Sequence, residues 1–176
     1  MPFPDHIRLL CLDCDGVLTD GSILLAADGT ESKSFHVHDG LAIKAWLASG
    51  RSLAIITARQ SEALARRMAE LGVTELHQGV SDKQALLDQL LDRLGIEAGD
   101  SAYMGDDLAD LPALALCGWA MAPANGRPEV RAVADWVSER GGGSGAVREA
   151  IEALLEASGE WSAFVERFIG PELENS

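Results

Sequence analysis

The chain has 176 residues, of which 47% are apolar and 24% charged, and this composition is typical of a soluble globular protein with room for one core. Its formal net charge of −14 argues against nucleic acid or an anionic membrane surface as a partner. No secretory signal pattern opens the chain and no apolar run reaches the ~18 residues of a membrane span, so we expect a cytoplasmic protein.

Short apolar runs, typical of buried strands, alternate along the chain with segments whose apolar residues recur at helical spacing. In chain order we predict a strand over 7–13, a β-hairpin over about 22–38, a helix over 39–50, a strand over 52–57, a helix over 61–72, a strand over 74–78, a helix over 81–95, a strand over 101–105, a helix over 107–117, a strand over 119–123, a helix over 127–134, a short strand over 135–138 and a helix over 146–157. Residues from about 158 to 176 are predicted to form a tail. This alternation predicts an α/β fold with a doubly wound parallel sheet, in a single domain over 1–176.

The stretch LLCLDCDGVLTDG, residues 9–21, ends an apolar strand with two carboxylates. Alternate residues of a strand share a face, so Asp13 and Asp15 are predicted to project the same way. Two carboxylates this close repel each other unless a cation or a proton lies between them. The pattern therefore predicts a metal site or a shared-proton pair, unless the strand ends earlier than the apolar run indicates. Cys11 and Cys14 lack the second pair that a zinc site needs.

Other polar residues follow the later strands. Thr57 is the last residue of the strand predicted over 52–57. Lys83 lies in the first turn of the helix that follows the strand over 74–78. Three carboxylates follow the strand over 101–105: Asp106, Asp107 and Asp110. Ligands bind at the carboxyl ends of the strands in such a sheet, so we expect these groups to meet Asp13 and Asp15 along one edge.

The residue types at this edge suit phosphoryl transfer. Asp13 and Asp106 offer the hard oxygen ligands that Mg²⁺ prefers, and a carboxylate of the pair can attack phosphorus. Asp15 is suited to protonate the leaving oxygen and then to activate water. Thr57 and Lys83 are suited to bind the phosphoryl group and its developing charge. Local cations that offset the negative net charge are Lys83, Arg59, Arg67 and Lys44.

Four ordered motifs, DCDGVLTDG, IITAR, SDK and GDDLAD, resemble those of the haloacid dehalogenase-like phosphatases. FHVHDG, LHQGVSDK, YMGDDLADLP and GGGSGAVRE resemble most closely the branch that hydrolyses 3-deoxy-D-manno-octulosonate 8-phosphate. The resemblance runs from about residue 9 to residue 155. It implies a phosphoric monoester hydrolase that forms an aspartyl-phosphate in the synthesis of a lipopolysaccharide precursor.

The resemblance also implies roles for individual residues. Asp13 is the implied nucleophile and Asp15 the acid–base group, while Thr57 and Lys83 bind phosphate. Mg²⁺ is implied to be held by Asp13, the Asp15 carbonyl and Asp106, with Asp107 and Asp110 behind them. The residues implied to meet the sugar acid are His36, Val37, His38, Asp39, Gly40, Lys44, Arg59 and Arg67. The branch usually has arginine where His38 and Ser144 stand, and glycine at Ala42.

Only 23 residues separate Asp15 from Asp39, which is room for a hairpin in place of a cap domain. A hairpin with apolar residues in both runs cannot bury them alone, so it favours pairing with other copies. The resemblance implies a homotetramer with residues 36–40 near a subunit boundary.

Three alternatives stay open from the sequence. The substrate could be an acylneuraminate 9-phosphate or a related sugar phosphate. The domain could instead be a phosphoacceptor or a regulatory module, although an acid–base group beside the nucleophile favours turnover. His36 and His38, on one face of a predicted strand, have a spacing that could bind zinc, but the carboxylate-rich surroundings favour contact with substrate or with a loop.

Overall fold

A six-stranded sheet forms the centre of the computed structural model, which describes residues 2–169. All its neighbouring strands are parallel, and their order is β5-β4-β1-β6-β7-β8. The strands are β1 (Leu9–Leu12), β4 (Ser52–Thr57), β5 (Glu75–Gln78), β6 (Ser101–Met104), β7 (Trp119–Ala122) and β8 (Trp136–Val137). The predicted α/β class and doubly wound parallel sheet are confirmed.

Helices cover both faces of the sheet, so the central strands β1, β4 and β6 are buried at every residue except Ser52. The helices are α1 (Val37–Ala48), α2 (Glu62–Leu71), α3 (Lys83–Leu94), α4 (Leu111–Leu116), α5 (Pro128–Val133), α6 (Ala146–Ala157) and α7 (Trp161–Glu166). Leu10 and Leu12 of β1 pack with the core under α1, α2 and α6, whereas Leu9 and Cys11 pack with the core under α3, α4 and α5. None of the helices in residues 2–169 is long and apolar enough to cross a membrane.

The strand order places a crevice beside β1. The chain runs outward from β1 to β4 and β5, then returns to β6 on the other side of β1 and continues to β7 and β8. Such a reversal leaves an opening at the carboxyl ends of the two central strands. Leu12 pairs with Met104 at this end, so the residues that follow β1 and β6 lie next to each other.

A small antiparallel hairpin lies between β1 and α1. It consists of β2 (Leu24–Leu25) and β3 (Glu31–Ser32), joined through a turn that contains Asp28 and Gly29. Ile23, Leu24 and Leu25 are 49%, 67% and 66% exposed. A ribbon this short therefore leaves its apolar side chains uncovered within the chain.

Two boundaries differ from the prediction at the site. Strand β1 ends at Leu12, and Cys14–Leu18 form a wide turn closed by a hydrogen bond from Thr19 N–H to the Cys14 carbonyl. The strand-face argument for Asp13 and Asp15 was therefore wrong, since neither residue is in a strand. Helix α1 begins at Val37, so His36 and His38 do not lie on a strand face either.

Three further local predictions need correction. The helix predicted from residue 81 begins at Lys83 and is capped by Asp82, whose carboxylate accepts a hydrogen bond of 2.9 Å from Ala85 N–H. The helix predicted over 107–117 is a 3₁₀ turn, Leu108–Asp110, followed by α4, in which Pro112 is tolerated in the first turn. Part of the predicted tail folds as α7 with Trp161 buried, while 170–176 lie outside the described residues.

Candidate active site

The predicted catalytic and metal-binding side chains meet in one cleft of about 290 Å³ at the carboxyl edge of the sheet. The ends of β1 and β6 are held together there, since Asp13 N–H donates a 3.0 Å hydrogen bond to the Met104 carbonyl. The predicted residues that line this cleft are Asp13, Asp15, Thr57, Lys83, Asp106, Asp107 and Asp110.

Lys83 is a buried cation at the base of the cleft. It is the first residue of α3, and its Nζ lies 2.9 Å from Asp13 Oδ1 and 2.7 Å from Asp110 Oδ1. Burial alone would lower the pKa of Lys83, but the charges of Asp13 and Asp110 raise it above the ordinary value. The ammonium is therefore held in its charged form beside Asp13.

Asp110 organises the base of the cleft. Its Oδ1 accepts hydrogen bonds from Lys83 and from the Tyr103 hydroxyl at 2.9 Å, while its Oδ2 accepts from the N–H groups of Asp106 and Asp107 at 3.1 and 3.3 Å. Gly105 is required beside it, because an added Cβ would overlap the Asp110 side chain. With both oxygens engaged, Asp110 positions Lys83 and the loop that carries Asp106. Asp107 caps the turn that follows, accepting from Leu108 N–H at 2.7 Å.

The Asp106 carboxylate, unlike that of Asp110, is not held by hydrogen bonds at both oxygens. One of its carboxylate oxygens is buried and has no hydrogen-bond partner among the described residues. Gly16, at φ 96°, brings the backbone of the preceding turn against this carboxylate, where an added Cβ would overlap it. The loops after β1 and β6 thus enclose an oxygen that needs a proton or a cation.

Three carboxylates crowd around this point. Asp13, Asp106 and Asp110 each offer an oxygen within 4.8 Å of the other two, and this is the one group of three or more potential ligating side chains in residues 2–169. Burial, together with neighbouring carboxylates, raises the pKa of Asp106 to about 7 and that of Asp13 to about 6, against the opposing effect of Lys83. This excess of hard oxygen ligands over cations fits Mg²⁺. Among residues 2–169, His36 and His38 are not part of any group of three or more side chains that could hold a metal ion.

We expect Asp106→Asn to stabilise the metal-free protein. Above about pH 7 the charged Asp106 carboxylate costs stability, because its pKa is raised on folding; the cost declines as the pH falls and vanishes near the ordinary value of about 4. After discounting for partial exposure, removing the charge is worth about 1–2 kcal/mol, or about 2–8 °C in Tm. Thermal unfolding in EDTA at pH 8 and at pH 4.5 checks both the sign and the pH dependence. A lower Tm than wild type at pH 8 would contradict it.

Asp15 lies in the same cleft but has different partners. Its Oδ1 is hydrogen-bonded to Lys33 from the hairpin, and its Oδ2 lies 3.7 Å from Arg59 Nε. The sequence does not distinguish Lys33, because a lysine in a polar run beside a strand follows the same pattern as a solvated one. Thr57 is 2% exposed at the end of β4, with its hydroxyl accepting a 3.3 Å hydrogen bond from Arg59 N–H.

The residues predicted to meet a sugar acid do not gather in this cleft within one chain. Of that set, Arg59 alone is among the described residues that line it. His36 and His38 line a separate cleft of about 500 Å³ at the start of α6. Val37 is 70% exposed, and Lys44 is exposed on α1.

Three of that set lie at contacts of α1 with its neighbours. Asp39 is 2% exposed and caps α6, since it accepts a 2.8 Å hydrogen bond from Arg148 N–H. Gly40 packs against the Arg67 guanidinium, where an added Cβ would overlap it. These contacts give Asp39 and Gly40 a structural role, and their contact with substrate stays a prediction.

The fold and the cleft define a hydrolase of the haloacid dehalogenase-like class, and a model of the haloacid dehalogenase-like hydrolases matches residues 70–151. The chain is also 44% identical over 156 residues to the 3-deoxy-D-manno-octulosonate 8-phosphate phosphatase of Escherichia coli K12, covering 89% of this chain and 83% of the relative. It belongs to the family of 3-deoxy-D-manno-octulosonate 8-phosphate phosphatases.

Solved structures agree with this assignment. The phosphatase of that name from Moraxella catarrhalis, crystallised with magnesium, phosphate and the sugar acid, superposes with a TM-score of 0.91 at 44% identity, covering 93% of this chain and 94% of the other. The cobalt-bound phosphatase from Haemophilus influenzae gives a TM-score of 0.87 at 39% identity, covering 91% and 94%.

Proposed function

We propose that this protein is a Mg²⁺-dependent phosphatase that hydrolyses 3-deoxy-D-manno-octulosonate 8-phosphate to the free sugar acid and phosphate. The observation that carries the proposal is the juxtaposition of Asp13 and Asp106 across the ends of β1 and β6, with the buried Lys83 ammonium 2.9 Å from Asp13. An anionic nucleophile beside a fixed cation is what attack on a phosphate monoester needs. The named relatives supply the choice of substrate.

In the proposed reaction, Asp13 attacks phosphorus and forms an aspartyl-phosphate. Asp15 gives a proton to the leaving sugar oxygen and later takes one from the water that releases phosphate. Lys83 offsets negative charge on the transferring group, and Thr57 donates a hydrogen bond to it. Asp13, Asp106 and the Asp15 backbone carbonyl would hold the metal ion. A bound Mg²⁺ supplies neutralisation of the two carboxylates and polarisation of the phosphoryl group.

A panel of phosphate esters tests the substrate assignment. Phosphate release is measured with 3-deoxy-D-manno-octulosonate 8-phosphate, an acylneuraminate 9-phosphate, a simple sugar phosphate and p-nitrophenyl phosphate. We expect the highest kcat/KM with the first. A higher value with the acylneuraminate ester would replace the proposed substrate, and a phosphorylated protein that does not turn over would indicate a phosphoacceptor instead.

The proposed assembly is a homotetramer in which hairpins of neighbouring copies pack together. Support comes from the exposed apolar side chains of Ile23, Leu24 and Leu25, which the two short strands leave uncovered. The predicted sugar-acid residues of α1 would then lie near a neighbouring copy's cleft. We also propose a cytoplasmic location, where the three free cysteines would stay reduced.

Light scattering on the purified chain checks the assembly. We expect a mass near four times 18.7 kDa at micromolar concentration. Leu24→Lys with Leu25→Lys should shift the protein to smaller species, because charge on the hairpin face opposes its burial between copies. A mass near 18.7 kDa for the unsubstituted chain would rule the proposed assembly out.

A further inference from the structure

The hairpin places the side chain of Lys33 beside Asp15 at the cleft. Lys33 directly follows β3, and its side chain is only 2% exposed. Its Nζ is hydrogen-bonded to Asp15 Oδ1 and lies 3.3 Å from Glu31 Oε1. A lysine is rarely buried to this extent unless its charge is paired.

Lys33 belongs to a closed network of four ionisable side chains, which also includes Asp15, Glu31 and Arg59. Arg59 Nη2 lies 2.5 Å from Glu31 Oε2, and Arg59 Nε lies 3.7 Å from Asp15 Oδ2. Each carboxylate therefore contacts both cations. The contacts with Asp15 and Glu31 offset the cost of burying the Lys33 side chain.

The two oxygens of Asp15 are in different situations. Oδ1 is anchored by Lys33, whereas Oδ2 is buried and accepts no hydrogen bond from the described residues. Asp15 also lies in a turn rather than a strand, with φ −81° and ψ 112°, so no sheet pairing fixes its orientation. The hairpin lysine supplies the direct hydrogen bond that orients this carboxyl group.

We propose that Lys33 is a positioning residue for the acid–base group Asp15, an inference that rests on the proposed function. In the first step the Asp13 oxygen forms a bond to phosphorus, and the bond between phosphorus and the sugar oxygen breaks. The Asp15 proton passes to that sugar oxygen and leaves a carboxylate. Lys33 holds Asp15 in place for the transfer and pairs with the carboxylate that results.

Two other roles predict different behaviour. If Lys33 bound substrate directly, its loss would raise KM for every phosphate ester that it contacts. If it served only the fold, its loss would lower stability and depress all substrates alike. A role through Asp15 depresses only those reactions whose leaving group needs a proton.

The test compares kcat/KM for the sugar-acid phosphate with kcat/KM for p-nitrophenyl phosphate, whose leaving group departs without protonation. This parameter reports the first phosphoryl transfer and is not affected by later release of phosphate. We expect Lys33→Met to lower kcat/KM about 10–100-fold for the sugar ester and less than about 3-fold for the aryl ester. The larger loss does not exceed what general acid catalysis contributes to a rate. Lys33→Arg should recover part of the loss. Arg66→Met, which removes an exposed cation paired with Glu62 on α2, is the control for charge.

Asp15→Asn provides the second arm of the test. In that background Lys33→Met should cause no further loss with the sugar ester, because the group that it positions is gone. An equal loss with both esters, or a full additional loss in the Asp15→Asn background, would overturn the inference. If Lys33→Met fails to fold, Lys33→Gln carries the same comparison.

Failure of the proposed function is visible separately in the unsubstituted enzyme. If that enzyme prefers another alkyl phosphate, the substrate assignment fails, and the ratio of alkyl to aryl ester is then measured on the preferred ester. A crystal structure of Lys33→Met gives a readout independent of activity. We expect the Asp15 carboxylate to be displaced, and an unmoved Asp15 would contradict the inference.

Discussion

Asp13→Asn is expected to abolish phosphate release while leaving the protein folded. An amide cannot act as an anionic nucleophile and is a poorer ligand for Mg²⁺, so the covalent route is lost and kcat falls by about 10⁴-fold or more. The fold should survive because the substitution removes one of three crowded carboxylates and leaves Lys83 paired with Asp110 at 2.7 Å. Phosphate release under single-turnover conditions, together with circular dichroism and thermal unfolding, measures both effects.

The control for this substitution is Asp88→Asn, which removes the same charge from an exposed position on α3. It should retain the turnover of the unsubstituted protein. Acid-quenched protein should carry covalent phosphate in the Asp88→Asn variant and none in Asp13→Asn. Turnover that persists in clean Asp13→Asn protein would show that another group attacks phosphorus.

Much of the fold was predictable because the sheet is buried on both faces. Continuous apolar runs such as 52–57 have no other stable place in a chain of this length, and Gly72 and Gly95 mark helix ends through their left-handed backbone. The same logic placed Asp13, Thr57 and Asp106 at one edge, since carboxyl ends of parallel strands meet.

Boundaries near the site were less predictable, because contacts distant in sequence decide them. Asp39 is buried as the cap of α6, more than a hundred residues away, and α1 begins at Val37, before the predicted start at Asp39. The sequence near Leu12 also gives no signal for the turn that follows it. The backbone of Gly16 in that turn packs against the Asp106 carboxylate, which comes from a later loop. Local patterns contain neither contact.

The roles of Lys33 and Asp110 also depend on the folded chain. Lys33 reaches Asp15 only because the hairpin folds back over the turn that follows β1. Asp110 was predicted to lie behind the metal ligands, but its hydrogen bonds to Lys83 and Tyr103 and to two backbone N–H groups were not. Residue types predicted the chemistry of the cleft, whereas the hydrogen bonds that orient each group required the structure.

Removal of divalent metal is expected to reduce activity at least about 10²-fold, since a bound ion contributes several kcal/mol of charge stabilisation in reactions of this kind. EDTA should therefore abolish phosphate release, and added Mg²⁺ should restore the activity. Ca²⁺ should restore it less well, because Ca²⁺ takes more ligands than Mg²⁺, at longer distances and in a less regular geometry. Mg²⁺ should also raise the Tm of the unsubstituted protein by relieving the repulsion between these carboxylates, but should have little effect on the Tm of Asp106→Asn. A metal site at the ends of β1 and β6 would be contradicted by equal phosphate release with and without divalent ions. It would also be contradicted if Mg²⁺ left the Tm of the unsubstituted protein unchanged.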